Sequence, residues 1–153
     1  MNRMTKTSVY IMSPYTRGQP LMNTARSMTV WDILFDAGYF PITPLWTHFQ
    51  HELIRPRHYE DWMAYDDAMM LQCDAGLRLP GPSSGANREC KGMAEAGLPL
   101  VNSVHHLFQY IPADREEFIT HRRATITNLT AQYGSFEQFI RNCDAKHGST
   151  GVI

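Results

Sequence analysis

Two carboxylates stand where a side chain of that type could do chemistry: Glu89 and Asp66. Glu89 lies about one turn into a helix expected to open at Ser83-Ser84-Gly85, after Leu79-Pro80-Gly81-Pro82. Small residues and hydroxyls at such a start leave backbone N–H groups open, and the helix dipole favours an anion there. Helical side chains lean toward the N-terminus, so the Glu89 carboxylate can reach the mouth of that site. Asp66 breaks a pattern. On a helical wheel Trp62, Tyr65, Met69, Met70 and Cys73 form an apolar stripe with Asp66 in its middle, whereas Asp67 points away. A carboxylate on a core-facing stripe is costly unless it is paired or used. The plainer readings are a capped helix with a surface Glu, and a capping or hydrogen-bonded Asp.

Other residues suggest less. His48 and His51 are three apart and His105 and His106 are adjacent, which fits neither HExxH nor any Cys/His zinc spacing. No metal site is expected. Arg55 and Arg57 could contact a phosphate or could form a solvated basic loop. There is no Walker lysine, no GxGxxG and no GxSxG, which removes the common NTPase, dinucleotide and serine-hydrolase readings. No cofactor is expected.

The elements that must position these residues alternate. Val9 to Met12 reads as a short buried parallel strand ending at Ser13-Pro14. Gly18-Gln19-Pro20 precedes a helix over about 21–37, with Leu21, Ala25, Met28, Trp31 and Phe35 on one side and Gly38 as its stop. Tyr39 to Pro44 is a second strand, followed by a long aromatic connection from Leu45 to Arg57, and such loops are often functional. A helix over about 58–73, a strand over 75–79, a helix to about Ala96 carrying Ala86, Cys90, Met93 and Ala94 on its apolar side, and a strand over 98–101 follow. From about Asp114 the chain is helical, and Ser135-Phe136-Glu137-Gln138 has the form of a capping box. The tail over 148–153 is expected to fray.

This order predicts one α/β domain over 1–153: a flavodoxin- or Rossmann-like parallel sheet of four to five strands flanked by helices. Its core spans about 8–112, and a helical C-terminal extension covers about 113–147. Ligands of such sheets bind beyond the carboxyl ends of the strands. The segment around Ser13-Pro14-Tyr15, the 45–57 connection and the 80–89 segment converge there.

Composition sets outer limits. The length of 153 residues suits one core, and 43% hydrophobic against 19% charged residues argues for a folded chain. A net charge of -1 is wrong for coating a nucleic-acid polymer but permits a single nucleotide. No stretch approaches the ~20 apolar residues of a membrane span, and residues 1–7 lack a signal-peptide pattern. Cys73, Cys90 and Cys143 form no CxxC pair and are expected as buried thiols in a reducing compartment, so a cytoplasmic protein is expected. On that reading the sequon at Asn128 is incidental.

The chain resembles the nucleoside 2-deoxyribosyltransferase-like superfamily, and within it a small phage and bacterial branch carrying a domain of unknown function. The resemblance rests on Tyr10-Ile11-Met12-Ser13-Pro14-Tyr15, on Ala37-Gly38-Tyr39 with Pro41, and on Tyr59-Glu60-Asp61-Trp62 through Tyr65-Asp66. It continues through Cys73-Asp74-Ala75 and Leu77-Arg78-Leu79-Pro80-Gly81 to Ser83-Ser84-Gly85-Ala86 and Glu89, covering about residues 8–101. The resemblance implies a nucleoside or nucleotide site in which Glu89 attacks or stabilises the anomeric carbon and Asp66 protonates the departing base. It implies that Ser13, Ser83 and Gly85 hold the 5′ end of the sugar. Tyr15, Arg17, His48, Trp62, Pro82 and Ser84 complete the expected binding set; His48 reads as a base contact or a packed residue. Family transferases tend to carry an acidic residue at the place of Ser83, and the nucleoside 5′-monophosphate hydrolases carry serine, which suits a phosphate. The resemblance further implies a homodimer or larger homo-oligomer.

Elementary chemistry agrees with these roles. Cleaving an N-glycosidic bond develops oxocarbenium character that a carboxylate stabilises or traps, and the departing base needs a proton. The expected activity is hydrolysis of a (deoxy)nucleoside 5′-monophosphate; the alternatives are base exchange and a non-catalytic nucleotide sensor. The polar Ala86-Asn87-Arg88 run departs from the family pattern, and the 45–62 aromatic stretch leaves the identity of the base open.

Overall fold

The computed structural model describes residues 5–145; the frayed tail expected over 148–153 lies outside them. Four parallel strands form the sheet: β1 (Ser8–Met12), β2 (Phe40–Ile42), β3 (Ala75–Arg78) and β4 (Leu100–Val101), in the order β2-β1-β3-β4. Register pairs Tyr10 with Ile42 on one side and with Gly76 on the other. The order reverses at β1, so the crevice lies beyond the carboxyl ends of β1 and β3, the place where doubly wound sheets bind ligands. The flavodoxin-like architecture is as expected, with four strands.

Helix α1 (Pro20–Asp36) connects β1 to β2, and α3 (Tyr59–Met70) precedes β3. Helix α4 (Ser84–Glu95) joins β3 to β4, α5 (Val104–Tyr110) follows β4, and α6 (Arg115–Tyr133) and α7 (Phe136–Ala145) complete the chain. Helix α5 is not recognisable in the sequence because its seven residues are too few to establish a periodicity. The connection expected from Leu45 to Arg57 is largely helical: a 3-10 turn (Pro44–Trp46), a single α turn α2 (Thr47–Phe49) and a π turn (Gln50–Ile54).

The sheet is buried on both faces, with Val9, Tyr10, Ile11 and Met12 fully enclosed. Phe118, Leu129, Tyr133, Phe139 and Cys143 from the C-terminal helices join the same hydrophobic core. Asp74 fastens the amino ends of the two inner strands: its Oδ2 accepts from the Ser8 N–H (2.9 Å), the Ser8 hydroxyl (2.9 Å) and Arg115 Nε (2.9 Å). Burial works against its ionisation, but Arg115 and Ser8 hold the carboxyl below its ordinary value. Ser135 Oγ caps α7 by accepting from the Gln138 N–H (3.1 Å), while the Gln138 amide turns to Asn142 rather than closing a full box.

Three predicted stripes shift. Helix α1 buries Asn23, Thr24, Ser27, Val30 and Leu34, while Leu21, Ala25, Met28 and Phe35 are exposed and Trp31 is half-buried. Small polar residues can face inward because their hydroxyls bond within the helix, Thr24 to the Pro20 carbonyl (2.9 Å) and Ser27 to that of Thr24 (2.8 Å). On α3 the buried row is Met63, Asp66 and Met70, and Tyr65 is exposed. On α4 Ala94 is exposed and Glu89 takes an inward position. All three cysteines are buried and none forms a disulfide.

Candidate active site

One cavity of about 340 Å³ opens at the carboxyl ends of β1 and β3, within the size range of small-molecule sites. Ser13, Tyr15, Arg17, His48, Trp62, Asp66, Ser83, Ser84, Gly85 and Glu89 all line it. Pro82 does not; it is exposed on the turn ahead of α4.

Glu89 reaches the cavity because α4 lies close to the sheet. A Cβ at Gly76 would come within 2.4 Å of Met93 Sδ and 2.9 Å of Leu100 Cδ2, so glycine there allows Met93, one turn beyond Glu89, to seat on β3. The Glu89 side chain then meets Tyr10, whose hydroxyl donates to Oε1 at 3.1 Å. Glu89 is 5% exposed and Asp66 9%. Burial, then the Asp66 charge, raises Glu89 to about 8, against the opposing Tyr10 hydrogen bond. Burial, then Asp67, raises Asp66 to about 7. Burial and the Glu89 carboxylate keep the Tyr10 hydroxyl protonated far above its ordinary range. Two such carboxyls titrate as a pair and share protons near neutrality. Glu89 is the more deeply buried and accepts a hydrogen bond, whereas Asp66 Oδ1 is buried without a partner. Burial raises Glu89 further than Asp66, so the proton of the pair rests preferentially on Glu89. The Tyr10 hydrogen bond favours the opposite arrangement, with the charge on Glu89 and the proton on Asp66, which is the minor form of the pair.

The helix start beside them is built for an anion. Ser83 caps α4 by accepting from the Ala86 N–H (3.1 Å), which leaves its own O–H to donate elsewhere. The first N–H groups of the helix have no intrahelical partner. Arg17 and Arg57 also line the cavity, so of the two arginines in the connection only Arg57 reaches it. Arg88 points outward and pairs with Glu60 at 3.1 Å.

The turn leading to α4 is braced from beneath by Arg78, fully buried on β3. Its guanidinium donates to the Leu79 carbonyl, the Gly81 carbonyl (2.9 Å) and Asn87 Oδ1 (2.9 Å), and approaches Asp144 Oδ1 at 3.3 Å. Gly81 has a φ of +117°, which a side chain would strain, and its N–H donates to the Cys143 carbonyl (3.0 Å). Helix α7 thus holds the turn in place.

The opposite wall is aromatic. Tyr15 and His48 share a hydrogen bond of 2.6 Å between the hydroxyl and Nδ1, joining the segment after β1 to the helical connection. Trp62 Nε1 donates to His51 Nδ1 at 2.9 Å. Ser13 is buried, with its hydroxyl turned to the Pro14 carbonyl (3.1 Å). Sequence reasoning missed Tyr10, His51 and Arg78. Arg78 had a signal, since a charge inside a strand buried on both faces must be paired; Tyr10 and His51 had none beyond residue type. Among the described residues no cluster of His, Cys, Asp and Glu could hold a metal ion, and no helix is long and apolar enough to cross a membrane.

No family model matches the chain, and no curated protein matches it. Among solved structures it is similar to the 2-deoxyribosyltransferase of the psychrotolerant bacterium Bacillus psychrosaccharolyticus. The two are 16% identical with a TM-score of 0.48, over 63% of this chain and 72% of the other.

Proposed function

We propose that the chain cleaves the N-glycosidic bond of a (deoxy)nucleoside 5′-monophosphate. The observation that carries this reading is the placement of Glu89 and Asp66 in one cavity, the first holding a hydrogen bond from Tyr10 and the second buried without one. Glu89 attacks the anomeric carbon as the bond to the base breaks; the electron pair leaves on the base nitrogen and the Asp66 proton goes to the base. Water then attacks the anomeric carbon, gives its proton to Asp66 and releases the Glu89 carboxylate. The Ser83 hydroxyl, the open N–H groups of α4 and the cations Arg17 and Arg57 favour a phosphorylated substrate over a bare nucleoside. Base exchange differs only in the group that attacks the glycosyl–Glu89 ester.

Incubation with ribo- and deoxynucleosides and their 5′-monophosphates, with and without a free base, tests the proposal. Release of base from a monophosphate is expected without any added base. Turnover only when a second base is present would establish exchange, and nucleotide binding with no turnover would establish a sensor. The proposal includes self-association, as the resemblance implies; sedimentation at micromolar concentration is expected to give a dimer or larger species, and a monomer would remove that part of it.

A further inference from the structure

His51 belongs to none of the roles above, yet one nitrogen of its ring is held by two hydrogen bonds. It sits on the π turn Gln50–Ile54, whose carboxyl end is closed by the Arg55 N–H donating to the Gln50 carbonyl at 3.2 Å. Such π turns recur at functional sites, because the widened turn redirects a side chain. Two N–H groups converge on its Nδ1: Trp62 Nε1 at 2.9 Å and the Arg57 backbone N–H at 3.2 Å. A nitrogen that accepts twice carries no hydrogen, so the proton of the neutral ring is on Nε2. His51 also lines the cavity. A ligand of that cavity that hydrogen-bonds to the ring therefore meets Nε2–H.

Its place relative to Asp66 defines what that donor meets. Trp62 and Asp66 are four residues apart on α3 and so lie on one face, about 6 Å apart along the axis. The N-terminal end of α3 lies toward the carboxyl ends of the strands, so Trp62, with His51 held against its indole, is on the mouth side of Asp66. A purine whose N7 takes the Asp66 proton carries its 6-substituent on the same edge, the edge that a donor on the mouth side of Asp66 would meet. A keto oxygen there accepts the Nε2–H; an amino group would set donor against donor and leave both unpaired.

We infer that His51 is a specificity-determining residue that selects 6-keto over 6-amino purines. This rests on the glycosidic reading of the site and adds the class of base to it. The test compares inosine with adenosine 5′-monophosphate, in ribo and deoxy forms. Wild type, His51→Phe, His51→Gln and Trp62→Phe are each measured for kcat/KM and, by calorimetry, for Kd. Wild type is expected to favour the keto member of a pair by at least about tenfold, the value of one well-placed hydrogen bond. His51→Phe is expected to abolish that preference, the ratio of kcat/KM between the two members falling to about one. His51→Gln, which keeps an N–H donor, is expected to restore part of it, and Trp62→Phe, which releases the ring, to weaken it.

Equal rates within each pair, an amino preference, or a keto preference that persists in His51→Phe would overturn the inference while leaving glycosidic cleavage intact. If wild type releases no base at all, the glycosidic reading fails, and the Kd values decide the role of His51 by the same criteria. Absence of binding to every nucleotide overturns both. Thermal melts show whether each variant is folded.

Discussion

Glu89→Gln is expected to lower base release by at least about a thousandfold while leaving the fold intact and nucleotide bound. The amide has the shape of the carboxylate and its oxygen can still accept the Tyr10 hydroxyl that Glu89 Oε1 now holds at 3.1 Å. It cannot form the glycosyl ester or balance a developing positive charge. The same change should alter stability in a defined direction. In the folded state Glu89 and Asp66 both titrate well above ordinary carboxyls, chiefly because they are buried. Groups raised in this way bind more protons folded than unfolded across the interval between the two states. Their contribution is therefore complete below about pH 4 and is lost as pH rises through about 7 to 8. Wild type should lose on the order of a few kcal/mol over that range, and Glu89→Gln should lose clearly less. Urea melts from pH 5 to 9 measure both. A mutant that keeps its activity would remove Glu89 from the chemistry, and parallel pH curves would remove the buried-carboxyl account of stability.

Asp66→Asn is expected to reduce turnover by about a hundredfold to ten-thousandfold, the usual range for a lost general acid. The loss should depend on the leaving group. A substrate whose aglycone departs without protonation should react with the variant nearly as well as with wild type, because only the protonation of the base has been removed. A uniform loss would mark Asp66 as a residue that only shapes the pocket. The pH profile carries the same information. Wild-type kcat/KM should be bell-shaped, with both limbs in the neutral to mildly alkaline range, because activity needs one proton on the pair and both carboxyls are raised, to about 7 and about 8. In Asp66→Asn the alkaline limb should disappear. The acid limb should move toward lower pH, because Glu89 then has no second carboxylate beside it.

Much of this site is legible in the amino-acid sequence. Asp66 stands out because a carboxylate in a hydrophobic row has few structural uses, and the row survives in altered form as Met63, Asp66 and Met70. Glu89 stands out because a run of small residues and hydroxyls marks a helix start, and Ser83 does cap that helix. The alternation of short apolar runs with helical segments, punctuated by Gly and Pro, is enough for a parallel sheet, since period and punctuation are local properties of the chain.

Other features escape such reading because they depend on residues far apart in sequence. The apolar row on α1 is the more hydrophobic side of the helix, yet it is largely exposed, and the side carrying Asn23, Thr24 and Ser27 is the buried one. Periodicity reports which side is oily, whereas burial depends on what packs against it. Tyr10 bonds to Glu89 across 79 positions, and Arg78 meets Asp144 across 66. No local pattern encodes such separations. His51 gains its fixed tautomer from Trp62, eleven residues away, through a π turn that the sequence displays as an unstructured loop.

Residue type and short-range spacing thus suffice for the parallel architecture, for the helix start that favours an anion and for the two carboxylates. It takes the packed chain to place those carboxylates in one cavity, to give Tyr10 to one and leave the Oδ1 of the other without a partner, and to turn His51 toward the same space. Those properties arise when distant segments desolvate one another, and desolvation is a consequence of packing that neighbours along the chain cannot specify.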